Sequence, residues 1–350
     1  LTARLTIALD AMGGDHAPEV VVEGVRIAHE RHPQVLFQLF GDRTRIEALL
    51  AELPQAVRET CELIHTDQVV KGQDKPSQVL RHGRQTSMWL AVDAVSRGAA
   101  AGVVSAGNTG ALMVVSKFVL RMLPGITRPA IAQCFPTERG ETVVLDLGAN
   151  VECDADNLVE FAVLGEVFAR TVLGIEQPIV GLLNVGSEEL KGNDTVRGAA
   201  TILREGALPI RFHGFVEGDD IPKGTVDVVV TDGFTGNIAL KIAEGTAKLY
   251  TRFLRDAFFN SLLARIGYLL ARRSLLKVKL RIDPRRYNGA MFLGLNGIAV
   301  KSHGGTDAVG FANAIGVAVD LIAQGYNDRI KAELTRLHAP AAAGAQAAAI

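Results

Sequence analysis

Apolar residues along this chain come in two alternating textures. Short, nearly continuous runs at Thr6–Asp10, Leu36–Phe40, Gly102–Ser105, Thr142–Leu145, Ile179–Leu183, Val226–Val230 and Ile298–Lys301 read as strands buried on both faces. Between them, apolar residues recur at helical spacing, first at Val21, Val22, Val25 and Ala28. Pro18 suits the first turn of that helix. Further helices are expected from Ile46, from Leu158 to Ala169, and from Thr306 to about Ala323. This alternation predicts an α/β fold with a mostly parallel sheet. In such sheets ligands gather at the carboxyl ends of the strands, where most of the polar, glycine-bearing loops fall.

One phrase occurs twice. Val103-Val104-Ser105-Ala106-Gly107-Asn108-Thr109-Gly110-Ala111-Leu112 is matched by Val229-Val230-Thr231-Asp232-Gly233-Phe234-Thr235-Gly236-Asn237-Ile238. Each copy is an apolar run, a Gly-x-Thr-Gly turn and a helical stretch ending in a lysine, Lys117 or Lys241. A strand, a glycine loop and a helix start bring free N–H groups and a positive helix end to one spot, where anions bind. Glycines also make tight turns in any α/β protein, and for one copy that plainer reading is the better. Two copies, each with an asparagine beside its glycines (Asn108, Asn237), favour an anionic substrate.

Three other loops carry candidate chemistry. Asp10-Ala11-Met12-Gly13-Gly14-Asp15-His16-Ala17-Pro18 packs glycines between two carboxylates and a histidine. His16 is a candidate general acid or base. Equally, Asp15 caps the helix at Pro18 and His16 only bonds to backbone. In Asn184-Val185-Gly186-Ser187-Glu188-Glu189-Leu190-Lys191-Gly192-Asn193, Lys191 beside a glycine can approach a phosphate or an oxyanion, with Asn193 or Asn237 donating. Asp146-Leu147-Gly148-Ala149-Asn150 is a further strand-end loop. A basic stretch, Lys71 to Ser77, is followed by Arg81 and Arg84.

Residues 247–281 differ from the rest. Lys248, Arg252, Arg255, Arg265, Arg272, Arg273, Lys277, Lys279 and Arg281 face one acid, Asp256, and apolar residues recur at roughly helical spacing. Such a basic amphipathic segment reads as a membrane-surface element, with a dimer arm or a dock for an acidic protein as alternatives. Gly267 marks a bend or a helix end. The uncharged run 98–116 is broken by Gly102, Gly107, Asn108, Thr109 and Gly110, so strand–loop–helix is expected there rather than a membrane span. The tail 338–350 is alanine-rich and expected to be flexible.

Composition narrows the classes. The 350-residue chain suffices for a large core, and its net charge of −1 argues against nucleic-acid binding by electrostatics. Cys61, Cys134 and Cys153, an odd count without CxxC spacing, point to a reducing compartment and to core packing rather than to zinc or a nucleophile. The first residues do not read as a signal peptide. GxGxxG, GxxxxGK[ST] and GxSxG motifs are absent, and no metal-ligand spacing stands out. Chemistry without an evident nucleophile or metal points to direct attack of one bound substrate on another.

Taken together and in this order, the loops Ala11–Pro18, Val104–Leu112, Leu145–Asn150, Asn184–Asn193 and Asp232–Asn237 resemble the acyl-(acyl-carrier-protein):phosphate acyltransferase family of bacterial phospholipid synthesis. The resemblance runs from Ile7 to Leu334. It implies a three-layer α/β/α fold like the isocitrate/isopropylmalate dehydrogenases and phosphotransacetylases, in one module over 1–335 with a protruding amphipathic helical pair at 247–281. It implies a homodimer, no metal or organic cofactor, and cytoplasmic location with peripheral attachment to the inner face of the membrane. The reaction would join the acyl group of acyl carrier protein to inorganic phosphate. The acyl phosphate would then pass to a membrane glycerol-3-phosphate acyltransferase. Lys191 and Asn237 fall on the family's catalytic positions, with His16 a secondary proton carrier. Gly13, Gly14, Asp15, Gly107, Asn108, Thr109, Gly110, Asn150, Asn193, Gly233, Thr235 and Gly236 would hold phosphate and substrate. Phe258, Leu262, Leu263, Ile266, Leu269 and Leu270 fall on the membrane-contacting pair. Where the family usually carries Lys-Lys and Ser-Ser pairs, this chain has Gly83-Arg84 and Thr86-Ser87, so no phosphate role is carried over to those side chains. The runners-up are a phosphotransacetylase using short acyl-CoA, a metal-dependent dehydrogenase of the same broad fold, and a non-enzymatic peripheral membrane scaffold.

Overall fold

A computed structural model of the chain describes residues 5–206, 208, 210–281 and 283–338. Its strands are β1 (Thr6–Asp10), β2 (Leu36–Gly41), β3 (Cys61–His65), β4 (Gly102–Ser105), β5 (Ala130–Thr137), β6 (Gly140–Leu145), β7 (Ile179–Leu183), β8 (Arg211–Val216), β9 (Val228–Val230), β10 (Ala290–Leu293) and β11 (Ile298–Lys301). They form one sheet in the order β3-β2-β1-β4-β11-β10-β5-β6-β9-β7-β8. Every pairing is parallel except β11–β10, β10–β5 and β5–β6. Those three reversals leave the two flanking parallel sets running in opposite senses.

The helices are α1 (Glu19–Arg31), α2 (Arg43–Ala51), α3 (Gln55–Arg58), α4 (Pro76–His82), α5 (Ser87–Ser96), α6 (Thr109–Leu120), α7 (Ala155–Phe168), α8 (Asp194–Glu205), α9 (Asp220–Lys223), α10 (Gly233–Phe259), α11 (Leu262–Arg281), α12 (Ala308–Ala323) and α13 (Tyr326–His338). Strand alternation sorts the core into two sides. Ile7, Leu9, Val104, Leu145, Val230 and Val300 meet α1, α7, α8 and α12 on one face. Ala8, Val103, Val144, Val229 and Ala299 meet α5 and α6 on the other. Burial on both faces is why these strands read as unbroken aliphatic runs. The result is the expected three-layer arrangement.

Four strands lack the aliphatic signature. β3 and β8 are the two edges, with polar Glu62, His65, Arg211 and His213 among them. β5 and β10 belong to the antiparallel bridge, and β5 carries Gln133 and Pro136. The uncharged run 98–116 resolves into β4, a loop and α6. No single helix among the described residues is long and apolar enough to cross a membrane.

The basic amphipathic residues fall on a helical pair, but its first member starts earlier than the composition shows. α10 begins in the second glycine loop at Gly233 and runs unbroken for 27 residues, so Lys241 lies within it rather than at its end. The chain turns at Asn260-Ser261, and Gly267 sits inside α11, not at a bend. A Cβ there would meet open space, so the glycine costs only its helix propensity, about 1 kcal/mol. Tyr268 folds back on Phe258 and Phe259 with ring centroids 5.7 and 5.3 Å apart, clasping the turn. The alanine-rich tail lies, from residue 339 on, outside the described residues.

Gly236 lets the first turn of α10 press against the carbonyl of Asp146, where a Cβ would collide with backbone. Gly236→Ala is expected to cost about 3 kcal/mol or more in urea denaturation, because backbone rather than a movable side chain must shift. Gly245→Ala, in open space on the same helix, should gain up to about 1 kcal/mol.

Candidate active site

The carboxyl ends of β1, β4 and β11 lie side by side. Asp10 closes β1 and is buried. Its Oδ1 accepts from Ser87 Oγ at 2.6 Å, and its Oδ2 from Ser105 Oγ at 2.7 Å. Ser105 Oγ in turn accepts from the N–H of Gly107 at 3.0 Å. Gly13 packs against Gly107, and Gly14, at φ +107, fits between Ala106 and the carbonyl of Gly304 in a conformation only glycine adopts without strain. Asp15 N–H donates to Gly304 O at 2.9 Å, fastening the β1 loop to the loop after β11. Lys301 is buried beneath the same loops, its Nζ donating to the carbonyl oxygens of Ala106 and Ser302. Burial pushes the Asp10 carboxyl above its usual range, against the pull of Ser87, Ser105 and Lys301. Burial also pushes the Lys301 ammonium down to about 8, opposed by Asp10 and Asp15.

Asn108 caps α6, its Oδ1 accepting from Ala111 N–H at 2.9 Å, while Nδ2 donates to Gly72 O at 2.7 Å. The basic loop is thereby tied to the first glycine loop, and Thr109 and Gly110 form the first turn of α6. Asp15 does not cap α1: the cap position is Pro18, with no side-chain bond, and both Asp15 and His16 are exposed. His16 contributes its carbonyl, which accepts from Val20 N–H at 3.0 Å, and leaves its imidazole at the surface.

The other parallel set ends in β6, β9 and β7, again neighbours. Asp146 is its buried hub. It accepts from the N–H groups of Ile131, Gly148, Ala149 and Asn150 at 2.7–3.2 Å, and from Asn150 Nδ2 at 2.9 Å. Burial pushes this carboxyl up, and the backbone donors pull it back. Asn150 Nδ2 also donates to Pro129 O at 2.7 Å, so that amide serves the loop itself. Gly233 N–H donates to Asn150 O at 2.7 Å, and Asp232 caps α10 by accepting from Thr235 N–H and Oγ1, both at 2.8 Å. Asn237 is exposed on the first turns of α10 beside Gly148.

Lys191 follows β7 at the same sheet edge. Its ammonium is 53% exposed and 3.7 Å from Glu188, and its carbonyl accepts from Asn184 Nδ2 at 3.1 Å. Asn193 spends its side-chain oxygen capping α8 through Val196 N–H at 2.9 Å. The two strand sets are linked by α10: Lys241, Glu244 and Lys248 all act electrostatically on His303, and Lys241 acts on Lys301. Burial chiefly pushes the His303 imidazole down. Lys117, the lysine of the other repeat's helix, lies elsewhere, beside Phe118 and Arg121 toward the far end of α6. The buried side chains of Ser87 and Lys301 escape a reading by motif, and the Asp146 loop reads in sequence without its buried hub. Only the position of Lys301 at the end of an aliphatic strand could have drawn notice.

The three cysteines are unpaired and half-buried. Burial pushes their thiols up to about 11 at Cys61 and Cys153 and about 12 at Cys134, which suits packing rather than nucleophilic attack. Among the described residues no group of three His, Cys, Asp or Glu side chains is placed to hold a metal ion.

Two strand-end glycine loops, each feeding a capped helix, one on each parallel set of a single sheet, mark an α/β protein of the kind in which ligands gather at strand ends. The frame is shared with a phosphotransacetylase from Staphylococcus aureus (TM-score 0.60, 18% identity, 92% of this chain and 94% of that one). It is also shared with a 4-hydroxythreonine-4-phosphate dehydrogenase from Klebsiella pneumoniae (TM-score 0.52, 15% identity, 92% and 99%). At such identities the likeness is one of fold. The model of the family described as "Fatty acid synthesis protein" matches residues 5–329. The phosphate acyltransferase of Paramagnetospirillum magneticum is 68% identical over 337 residues, 96% of each chain. That of Rhodospirillum rubrum is 64% identical over 337 residues, again 96% of each. The chain belongs to the phosphate acyltransferase family; it is an acyltransferase whose acceptor is phosphate.

Asp10→Ala strands two buried hydroxyls and removes one of the two carboxylates that offset the buried Lys301 ammonium. It is expected to cost about 3 kcal/mol in denaturant unfolding, with Asp10→Asn, which keeps one acceptor, costing less.

Proposed function

We propose that the enzyme takes a long-chain acyl group from acyl-acyl carrier protein and joins it to inorganic phosphate, making acyl phosphate for phospholipid synthesis. The observation that carries this reading is the pair of capped glycine loops, at the starts of α6 and α10, after strands of the two parallel sets. Phosphate rests against the positive ends of these two helices, with Gly13, Gly14, Asp15, Gly107, Thr109, Gly110, Gly233 and Gly236 shaping the cradle. A phosphate oxygen attacks the thioester carbonyl carbon, the tetrahedral intermediate collapses, the C–S bond breaks, and the carrier's thiolate leaves and takes up a proton. Lys191 and Asn237, both exposed at one sheet edge, stabilise the oxyanion or position phosphate once Lys191 leaves Glu188. The exposed imidazole of His16 serves as a secondary proton carrier.

The helical hairpin supports peripheral attachment to the inner face of the membrane. Leu262, Leu263, Ile266, Leu269 and Leu270 are 54–84% exposed around its turn, while Phe258 is partly covered by Tyr268. Arg265, Arg272 and Arg273 lie among them, as on helices that settle at an anionic lipid surface. There the product can pass directly to a membrane glycerol-3-phosphate acyltransferase. The long exposed flank of α10, with Ile242, Leu249 and Phe253, supports assembly as a homodimer.

Incubation with palmitoyl-carrier protein should release free thiol only when phosphate is present, with acyl phosphate trapped by hydroxylamine. No release, or release only from acetyl-CoA, would overturn the reading. Lys191→Ala should lower turnover about a hundredfold or more without changing the unfolding midpoint. Leu269→Glu should abolish binding to anionic vesicles while soluble turnover persists; unchanged binding would remove the hairpin from membrane contact. The Lys301 ammonium, buried beneath the first glycine loop and pushed down to about 8, is lost progressively as pH rises through that region. The apparent KM for phosphate should therefore climb as pH passes 8, and in Lys301→Met it should be high throughout, without that extra rise.

A further inference from the structure

The phosphate chemistry leaves one surface unused. Where α4 packs on α6, Leu80, Val114 and Phe118 floor an open groove of about 560 Å³ rimmed by Lys117 and Arg121. Phe118 is 59% exposed, and its ring stands 5.8 Å from that of Trp89. An exposed aromatic floor ringed by cations is unusual on an otherwise well-packed helix pair.

The charge around the groove is one-sided. From Gln68 to Arg128 the only acids are Asp74 and Asp93. Asp74 accepts from the Lys71 N–H, and Asp93 is paired with Arg97. Lys71, Lys75, Arg81, Arg84, Lys117 and Arg121 are all exposed, and none makes an ion pair among the described residues. This basic strip leads to the site. α6 starts in the first glycine loop, and Lys117 lies eight residues along it from Thr109, about 12 Å. At the near end, Asn108 ties the 71–75 loop to the same glycine loop.

We propose that the α4–α6 groove docks an acidic carrier protein, which from there reaches the glycine loops with its thioester-bearing arm. The proposal rests on the carrier-protein donor proposed above. An acidic helix with a few exposed apolar side chains matches a cationic rim around an apolar floor. A second copy of this chain would set like charges against each other. A lipid surface is too flat to fill a concave groove.

The test is the double variant Arg81→Glu/Lys117→Glu, assayed with palmitoyl-carrier protein and with palmitoyl-CoA. The expected result is a rise in KM for the carrier-protein substrate of about tenfold or more, with weaker salt dependence. The KM for phosphate and turnover of palmitoyl-CoA should stay unchanged. Arg81→Gln/Lys117→Gln, which adds no repulsion, should show a smaller rise in the same parameter, and it serves if the reversal variant fails to fold. An unchanged KM for a carrier substrate that the wild type uses would overturn the docking site and leave the donor assignment standing. Loss of anionic-vesicle binding with that KM unchanged would assign the strip to lipid instead and overturn the proposal. A wild type that uses palmitoyl-CoA but not the carrier protein would overturn the donor assignment, and the docking site with it.

Discussion

A carboxylate shut away from water must find all its hydrogen-bond donors within the protein, and each half of this sheet is organised around one such group. Asp10 gathers the start of α5 and the end of β4, and through Ser105 it holds the N–H of Gly107. Asp146 gathers four backbone N–H groups around the turn that supports the start of α10. Each glycine loop is thus held from beneath by a buried acid as well as by the capping residue in its own sequence, Asn108 or Asp232. That arrangement supplies rigidity where an anion must be met by preset dipoles, since a floppy loop would lose the advantage in reordering. The first half adds a buried cation, Lys301, beneath the loop. The second half leaves its neighbouring cation, Lys191, at the surface.

The sequence revealed the parts of the fold that burial writes most strongly. β1, β4, β7 and β11 are covered on both faces, so they stand out as aliphatic runs with bounds that match the structure. Edge strands β3 and β8 alternate with polar residues, and the bridging strands β5 and β10 pair with each other across the chain while each also forms a hairpin with the strand after it. Their short or partly polar runs lack the continuous aliphatic signature. The same division holds for the site. The glycine loops were legible because backbone geometry restricts their residues. Asp10, Ser87, Ser105 and Lys301 come together from four separate elements, and only topology joins them. The family resemblance also assigns Asn108, Asn150 and Asn193 alike to phosphate and substrate. In the structure they cap helices or brace loops, the ordinary work of asparagine near a turn.

The repeated phrase illustrates how equal sequence can mean unequal position. Both copies build a strand, a turn and a capped helix start. The helices then diverge: α6 is short and half-buried against α5, whereas α10 buries only its first turn and leaves the domain. The first lysine along each helix follows its course. Lys117 rims an apolar groove, and Lys241 faces the loop after β11.

The unbroken course of α10 has a further consequence. A helix of 27 residues is about 40 Å long, and each residue added to it rotates everything beyond by about 100°. The reach of the hairpin and the direction in which its leucines face are therefore a single variable, counted from the glycine loop. Removing one or two residues between Gly236 and Phe259 would turn the apolar stripe toward the flank; removing seven would shorten the arm and leave its facing nearly unchanged. Length variation in this family should thus come in near-whole turns, a spacing rule imposed by the substrate loop on a surface far from it.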